Sequence, residues 1–136
     1  MTGYLLDTNV LSEVLKKRPE PKVLQKLEDV REVHLATSVI CVMELRFGAA
    51  QRADLDTFWG RIQQKLLPWV TLLPLTEKEA ILAGDILAHL TQRGERIGTE
   101  DILIASTALS HDLTVSSRNV RHFGRIKGLK VEDWWR

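Results

Sequence analysis

The sequence predicts an α/β fold with a mainly parallel central sheet flanked by helices. Three observations carry that prediction. Short apolar runs of strand type recur along the chain, and longer segments with helical spacing of their apolar residues separate most of them. A length of 136 residues with 44% hydrophobic residues suits one compact domain spanning residues 1–136. Strands that alternate with helices are the pattern of a parallel sheet covered by helices.

The strand runs are Tyr4-Leu5-Leu6, His34-Leu35-Ala36, Val70-Thr71-Leu72-Leu73, Leu113-Thr114-Val115 and Leu129-Lys130-Val131. Between the first two, Pro19 and Pro21 punctuate the chain, and Lys22 to Val30 reads as a short amphipathic helix. Ser38 to Arg52 and Leu55 to Leu67 read as a helix pair with a polar break at Gln51-Arg52-Ala53-Asp54. Thr76 followed by Glu79 is a capping box, opening a helix with Ala80, Ala83, Leu87 and Leu90 on its apolar face and an end near Arg93-Gly94. Thr99 is placed to cap the next helix, whose residues Ile102, Leu103, Ile104, Ala105, Ala108 and Leu109 are apolar enough to require burial on more than one side.

Charged residues make up 27% of the chain and the formal net charge is +1, so disorder is not expected and total charge predicts no nucleic-acid partner. The single cysteine, Cys41, sits in an apolar run and reads as a buried reduced thiol; one cysteine excludes an internal disulfide. Asp7, Asn9 and Glu13 interrupt any signal-peptide core, and no stretch reaches membrane-spanning length, so a cytoplasmic protein is expected.

In an open parallel sheet, ligands sit beyond the carboxyl ends of the strands. Asp7 ends the first strand, Glu44 lies in the helix after the second, and Asp101 lies in the first turn of the buried helix. Carboxylates among apolar residues are costly to desolvate unless paired, capped or bound to metal. Two readings therefore stand side by side. Asp7 either caps the following helix or binds a cation; Glu100 and Asp101 either complement a helix dipole or contribute to a site, with Glu100 the more exposed. Glu44, on an otherwise apolar helix face, either pairs locally with Arg46 or points into a site. Converging carboxylates suit Mg²⁺ or Mn²⁺, which prefer oxygen ligands, and their like charges should raise the pKa of at least one of them when metal is absent. The histidines His34, His89, His111 and His122 lack zinc-ligand spacing, and His122 alone falls within a site motif, where it either touches substrate or the metal's outer shell or is an ordinary surface or core residue. No phosphate-cradling glycine loop and no cysteine–histidine pair is present in the sequence.

The stretch Tyr4-Leu5-Leu6-Asp7-Thr8-Asn9-Val10-Leu11-Ser12-Glu13, then Glu44-Leu45-Arg46-Phe47-Gly48, then Ile97-Gly98-Thr99-Glu100-Asp101-Ile102-Leu103-Ile104-Ala105, resemble in order the signatures of PIN-domain ribonucleases of the VapC toxin type. The run Ser116 to Phe123, followed by Ile126-Lys127-Gly128-Leu129 and Trp134, resembles the family's closing segment. The resemblance implies Asp7, Glu44 and Asp101 as metal-binding and catalytic acids, Thr8 and Asn9 as shapers of the first loop, and Ser117 and Asn119 as residues completing the site. It implies an endoribonuclease that cuts structured RNA such as tRNA or rRNA, a small antitoxin of VapB type whose tail lies in an apolar groove, and a homodimer. The chain departs from the pattern at one place: members commonly carry a further acid where Asn119 or His122 stands, and a neutral amide binds metal more weakly. A PIN-fold binding module without activity is the alternative this departure raises. A receiver-like switch would need paired acids after the first strand, where only Asp7 stands.

From Arg118 to Arg136 six Arg/Lys residues face two acids. Arg118, Arg121, Arg125 and Lys127 are therefore candidates to guide an RNA backbone toward the acids, against the plainer reading of a solvated basic tail. Trp59, Trp69, Trp134 and Trp135 leave room for partner contacts, although core packing is the commoner use of Trp59 and Trp69 and is expected for them.

Overall fold

In the computed structural model, which describes residues 3–136, five strands form: β1 (Tyr4–Leu6), β2 (Leu35–Ser38), β3 (Thr71–Leu73), β4 (Thr114–Ser116) and β5 (Val131–Glu132). Each falls on one of the five apolar runs, displaced by a few residues at its ends. The helices are α1 (Thr8–Val14), α2 (Pro21–Asp29), α3 (Val39–Ala50), α4 (Leu55–Lys65), α5 (Glu77–Gln92), α6 (Thr99–Ser110) and the single turn α7 (Val120–Phe123).

Every strand pairing is parallel and the order is β3-β2-β1-β4-β5. The chain steps outward from β1 through β2 to β3, then returns to the other side of β1 for β4 and β5. That reversal between β1 and β4 opens a crevice at the carboxyl edge of the sheet, the place where such folds bind ligands. The loop after β1 is tied to both neighbours: Asp7 N donates to Ser116 O at 3.0 Å, and Thr37 Oγ1 donates to Leu6 O at 2.9 Å.

The core lies on both faces of the sheet. Leu5, Val115 and Ala36 from the strands meet Val10, Cys41, Ile62, Leu90 and Ile104 from the helices, all fully buried. Helix α6 buries every residue from Ile104 to Ala108, which is burial around its whole circumference, as its composition requires. Its cap differs from the expectation. Gly98 occupies the N-cap position and Thr99 is the first helical residue, so the threonine hydroxyl is one position too late to serve as the cap.

The other boundaries follow local chemistry. Ser38 Oγ accepts from the N–H groups of Ile40 and Cys41 at 3.1 and 3.2 Å, so the residue that closes β2 also opens α3. At α5 the capping box forms, with Thr76 N donating to Glu79 Oε1 at 2.9 Å, and Gly94 ends the helix at φ 67°, a conformation glycine adopts without steric cost. Helix α4 stops at Lys65, two residues short of the expected end, because Pro68 converts the next turn to a 3₁₀ helix over Leu67–Trp69. That turn carries Trp69 out of the core to 77% exposure, contrary to its expected burial. Trp59 is half-buried against the core, with the Arg46 guanidinium 5.0 Å from its ring centre.

Candidate functional site

A cavity of about 460 Å³ opens at the β1/β4 crevice, lined by Asp7, Thr8 and Asn9, by Glu44 and Asp101, by Arg118 and Asn119, and by Ser12, Glu13, Lys16 and Trp135. The three acids singled out in the sequence thus share one cavity although they come from the end of β1, the middle of α3 and the first turn of α6.

Asp7 is 5% exposed and held at both oxygens. Oδ1 accepts from Thr8 N at 2.8 Å; Oδ2 accepts from Ser117 Oγ at 2.7 Å and from Asn9 Nδ2 at 3.4 Å. Ser117 Oγ in turn accepts from Asn119 N at 2.9 Å, and Asn9 Oδ1 accepts from Arg118 N at 3.3 Å. The loops after β1 and β4 are therefore locked together. Both readings of Asp7 meet here, because it occupies the N-cap of α1 while facing the cavity, but its contact reaches only the first helical N–H rather than the second or third that a strong cap would bind.

Glu44 is aimed by Thr8, whose hydroxyl donates to Oε1 at 2.7 Å. Asp101 is half-buried while Glu100 is exposed. Asp101 Oδ2 accepts from Asn119 Nδ2 at 2.8 Å and lies 3.1 Å from His122 Nδ1. His122 therefore joins the site, and Asn119 and His122 direct their polar atoms at the same carboxylate oxygen.

Burial pushes the carboxyl groups of Asp7 and Glu44 above their ordinary pKa values, and neighbouring acids, Asp101 among them, push in the same direction. The direction is the one expected from clustering, but desolvation is the larger cause. Buried carboxylates with too little compensating positive charge are fit partners for a cation.

Sequence reasoning passed over one member of the cluster. Cys41, buried as expected, places Sγ 3.9 Å from Asp7 Oδ1, and ligand atoms of Asp7, Cys41 and Glu44 all lie within 4.8 Å of one another. Its position three residues before Glu44 on α3 was the available signal, since residues at that spacing share a helix face. The donor set is mostly hard oxygen with one thiol whose pKa burial raises, keeping it protonated and a weak ligand. Oxygen-seeking divalent cations fit it best.

The basic candidates separate in space. Arg118 lines the cavity. Arg121 is exposed on α7 outside it, Arg125 donates to the carbonyls of Arg96 and Glu95 at 3.2 and 3.5 Å, and Lys127 borders a different cavity beside Ile86 and His89. Lys16 and Trp135, from opposite ends of the chain, supply a cation and an aromatic ring that the sequence did not place at the site.

An all-parallel α/β sheet with a carboxylate cluster at its switch point defines a class of acidic, cation-capable site on an open sheet. Residues 4–129 match the family model described as PIN domain, and the chain belongs to that family. It is 32% identical over 138 residues to the tRNA(fMet)-specific endonuclease VapC of Salmonella typhimurium, covering 98% of this chain and 99% of that one. It is 34% identical over 124 residues to Toxin FitB of Neisseria gonorrhoeae, covering 88% of this chain and 89% of the relative. The crystal structure of FitAcB from Neisseria gonorrhoeae superposes with a TM-score of 0.89 at 32% identity, covering 98% and 99% of the two chains.

Proposed function

We propose that this chain, as one nuclease domain over residues 1–136, is a metal-dependent endoribonuclease that acts as the toxin of a toxin–antitoxin pair, cutting structured RNA such as tRNA or rRNA. The observation that carries the reading is the convergence of Asp7, Glu44 and Asp101 on one open cavity at the β1/β4 switch point. Asp7 and Asp101 would hold Mg²⁺ or Mn²⁺, and Glu44, aimed by Thr8, would complete the shell or orient the attacking water. A divalent ion bound there supplies charge stabilisation on the scissile phosphate and an activated water near neutral pH. The protein's part is to hold that arrangement rigid: Ser117 and Asn9 fix Asp7, and Asn119 and His122 fix Asp101. No nucleophilic side chain is required.

Two surfaces support the partners expected of such a protein. An apolar groove of about 500 Å³ between α1, α2 and the end of α4, lined by Val14, Leu24, Leu27, Leu66 and Trp69 among others, is shaped to seat the tail of a small antitoxin of VapB type. Met43 and Phe47, one turn apart on α3, are exposed, as is Ile81 on α5, and they suit a homodimer contact. The place of action that goes with this reading is the cytoplasm, and among the described residues no helix is long and apolar enough to cross a membrane.

The second reading, a PIN-fold module that binds RNA or protein without cutting, draws on Asn119 and His122, which crowd one oxygen of Asp101. Incubating the protein with total bacterial RNA, with Mg²⁺ or Mn²⁺ and with chelator, beside an Asp7→Asn control, decides between them. Discrete metal-dependent RNA ends absent from the control are expected. No cleavage with either metal by folded, antitoxin-free protein transfers the conclusion to the inactive module.

A further inference from the structure

We propose that Trp135 is a positioning residue that holds the Arg118 guanidinium at the mouth of the acidic cavity as a clamp for an RNA phosphate next to the one cleaved. The inference rests on RNA being the substrate and adds the device that grips it. Arg118 and Trp135 both line the cavity that contains Asp7, Glu44 and Asp101. The guanidinium carbon of Arg118 stands 5.0 Å from the centre of the Trp135 ring, within the range of a cation–π contact.

The stack is built from both sides. At the arginine, the backbone N–H donates to Asn9 Oδ1 at 3.3 Å, so the root of the side chain is fixed to the loop that carries Asp7. At the tryptophan, the backbone N–H donates to Asp133 Oδ1 at 2.9 Å and the indole N–H to Glu13 Oε1 at 3.3 Å. Glu13 is itself buried, and its two oxygens accept from Lys16 Nζ at 3.0 Å and Glu20 N at 2.9 Å. These contacts hold its carboxyl below the usual range, the Lys16 hydrogen bond contributing most.

The other cations near the site are already engaged. Lys16 pairs with Glu13, and Arg125 is turned onto backbone carbonyls. Among the described residues no carboxylate lies within ion-pair distance of Arg118. Its forked donors are therefore oriented by Trp135 and unspent, beside a site whose acids would repel a phosphate that had no cation to meet it. A planar guanidinium held this way matches the oxygens of a phosphodiester, and it does so without reading the base.

The test is binding of fluorescein-labelled bulk tRNA, followed by anisotropy in Ca²⁺ at several salt concentrations, for the wild type, Trp135→Leu, Trp135→Phe, Arg118→Ala and the double variant. Trp135→Leu keeps apolar packing but removes the π face, and is expected to weaken binding about fivefold, the loss of one cation–π contact. Trp135→Phe, which restores a face, should recover most of it. Arg118→Ala should weaken binding further and lower the salt slope by about one. In the Arg118→Ala background Trp135→Leu should change nothing more, an outcome that a merely structural tryptophan would not give.

Unchanged affinity in Trp135→Leu, or an equal loss with and without Arg118, overturns the clamp. If Trp135→Leu does not fold, Arg118→Ala carries the test alone, and unchanged affinity and salt slope overturn the proposal. Cleavage of tRNA in Mn²⁺ by the same wild-type preparation is read separately: its absence counts against the nuclease reading, whereas the binding ratios decide the clamp.

Discussion

Glu79 and Asp7 are both buried carboxylates at the start of a helix, 3% and 5% exposed, yet their surroundings drive them in opposite directions. Hydrogen bonds from the Thr76 hydroxyl and backbone N–H lower Glu79 from 4.5 to about 2. Asp7 also accepts hydrogen bonds, from Ser117, Thr8 and Asn9, but desolvation outweighs them and Asp101 adds repulsion, so its pKa rises. The first carboxylate is satisfied by its own helix. The second has no cation within ion-pair distance among the described residues. Burial alone therefore does not make an acid a candidate for function; burial with unmet charge does.

The largest effect that sharpens the contrast comes from Asp7→Asn. Loss of outer-shell partners alone typically costs about 10–100-fold in metal affinity or activity, so loss of a ligand should lower cleavage by more than about a hundredfold. The same variant should melt higher than wild type in chelator at neutral pH. An acid raised above 3.8 contributes stability that is complete below that value and is lost as pH rises through its folded pKa, so removing the charge removes a cost. Mn²⁺ at a hundred times its dissociation constant should stabilise the wild type by about 2.7 kcal/mol and leave Asp7→Asn unmoved. Equal melting shifts in the two proteins would break the comparison.

Next in size is Ser117→Ala. It removes the 2.7 Å donor to Asp7 Oδ2 without touching a proposed ligand, and should weaken Mn²⁺ binding, measured by calorimetry, by about tenfold. The smallest effect is at the other carboxylate. Glu79→Ala should cost about 1 kcal/mol of stability in denaturant titrations and leave metal affinity as it was. The Glu79 contribution is fully present above pH 4.5 and disappears as pH falls toward about 2, so wild type and Glu79→Ala should converge in stability through that window.

The sequence made the strands legible because each is a short apolar run bounded by polar or turn residues, and it made α5 legible because Thr76 and Glu79 stand at the spacing of a capping box. The acids could be found at strand and helix ends because the sheet is parallel and its carboxyl edge gathers them. What failed was information that spacing does not contain. Trp69 looks like a core residue until Pro68 tightens the turn before β3 and swings it outward. Arg118, Arg121, Arg125 and Lys127 look alike as a run of charge, and only the fold shows that Arg118 faces the acids while Arg125 is engaged by the α5–α6 connection. Lys16 and Trp135 are separated by most of the chain and meet through Glu13, a contact no local pattern encodes.

The strand order also carries a consequence for how the protein comes into being. Asp7 lies in the first loop, but Ser117, Asn119 and Arg118 follow β4, which docks beside β1 only after more than a hundred intervening residues have been made. A chain still emerging from the ribosome can assemble β1, β2 and β3 and yet lack the hydroxyl that holds Asp7 and the groups that hold Asp101. The complete site is therefore assembled in one late step, when the last sixth of the polypeptide, from β4 onward, folds back beside β1.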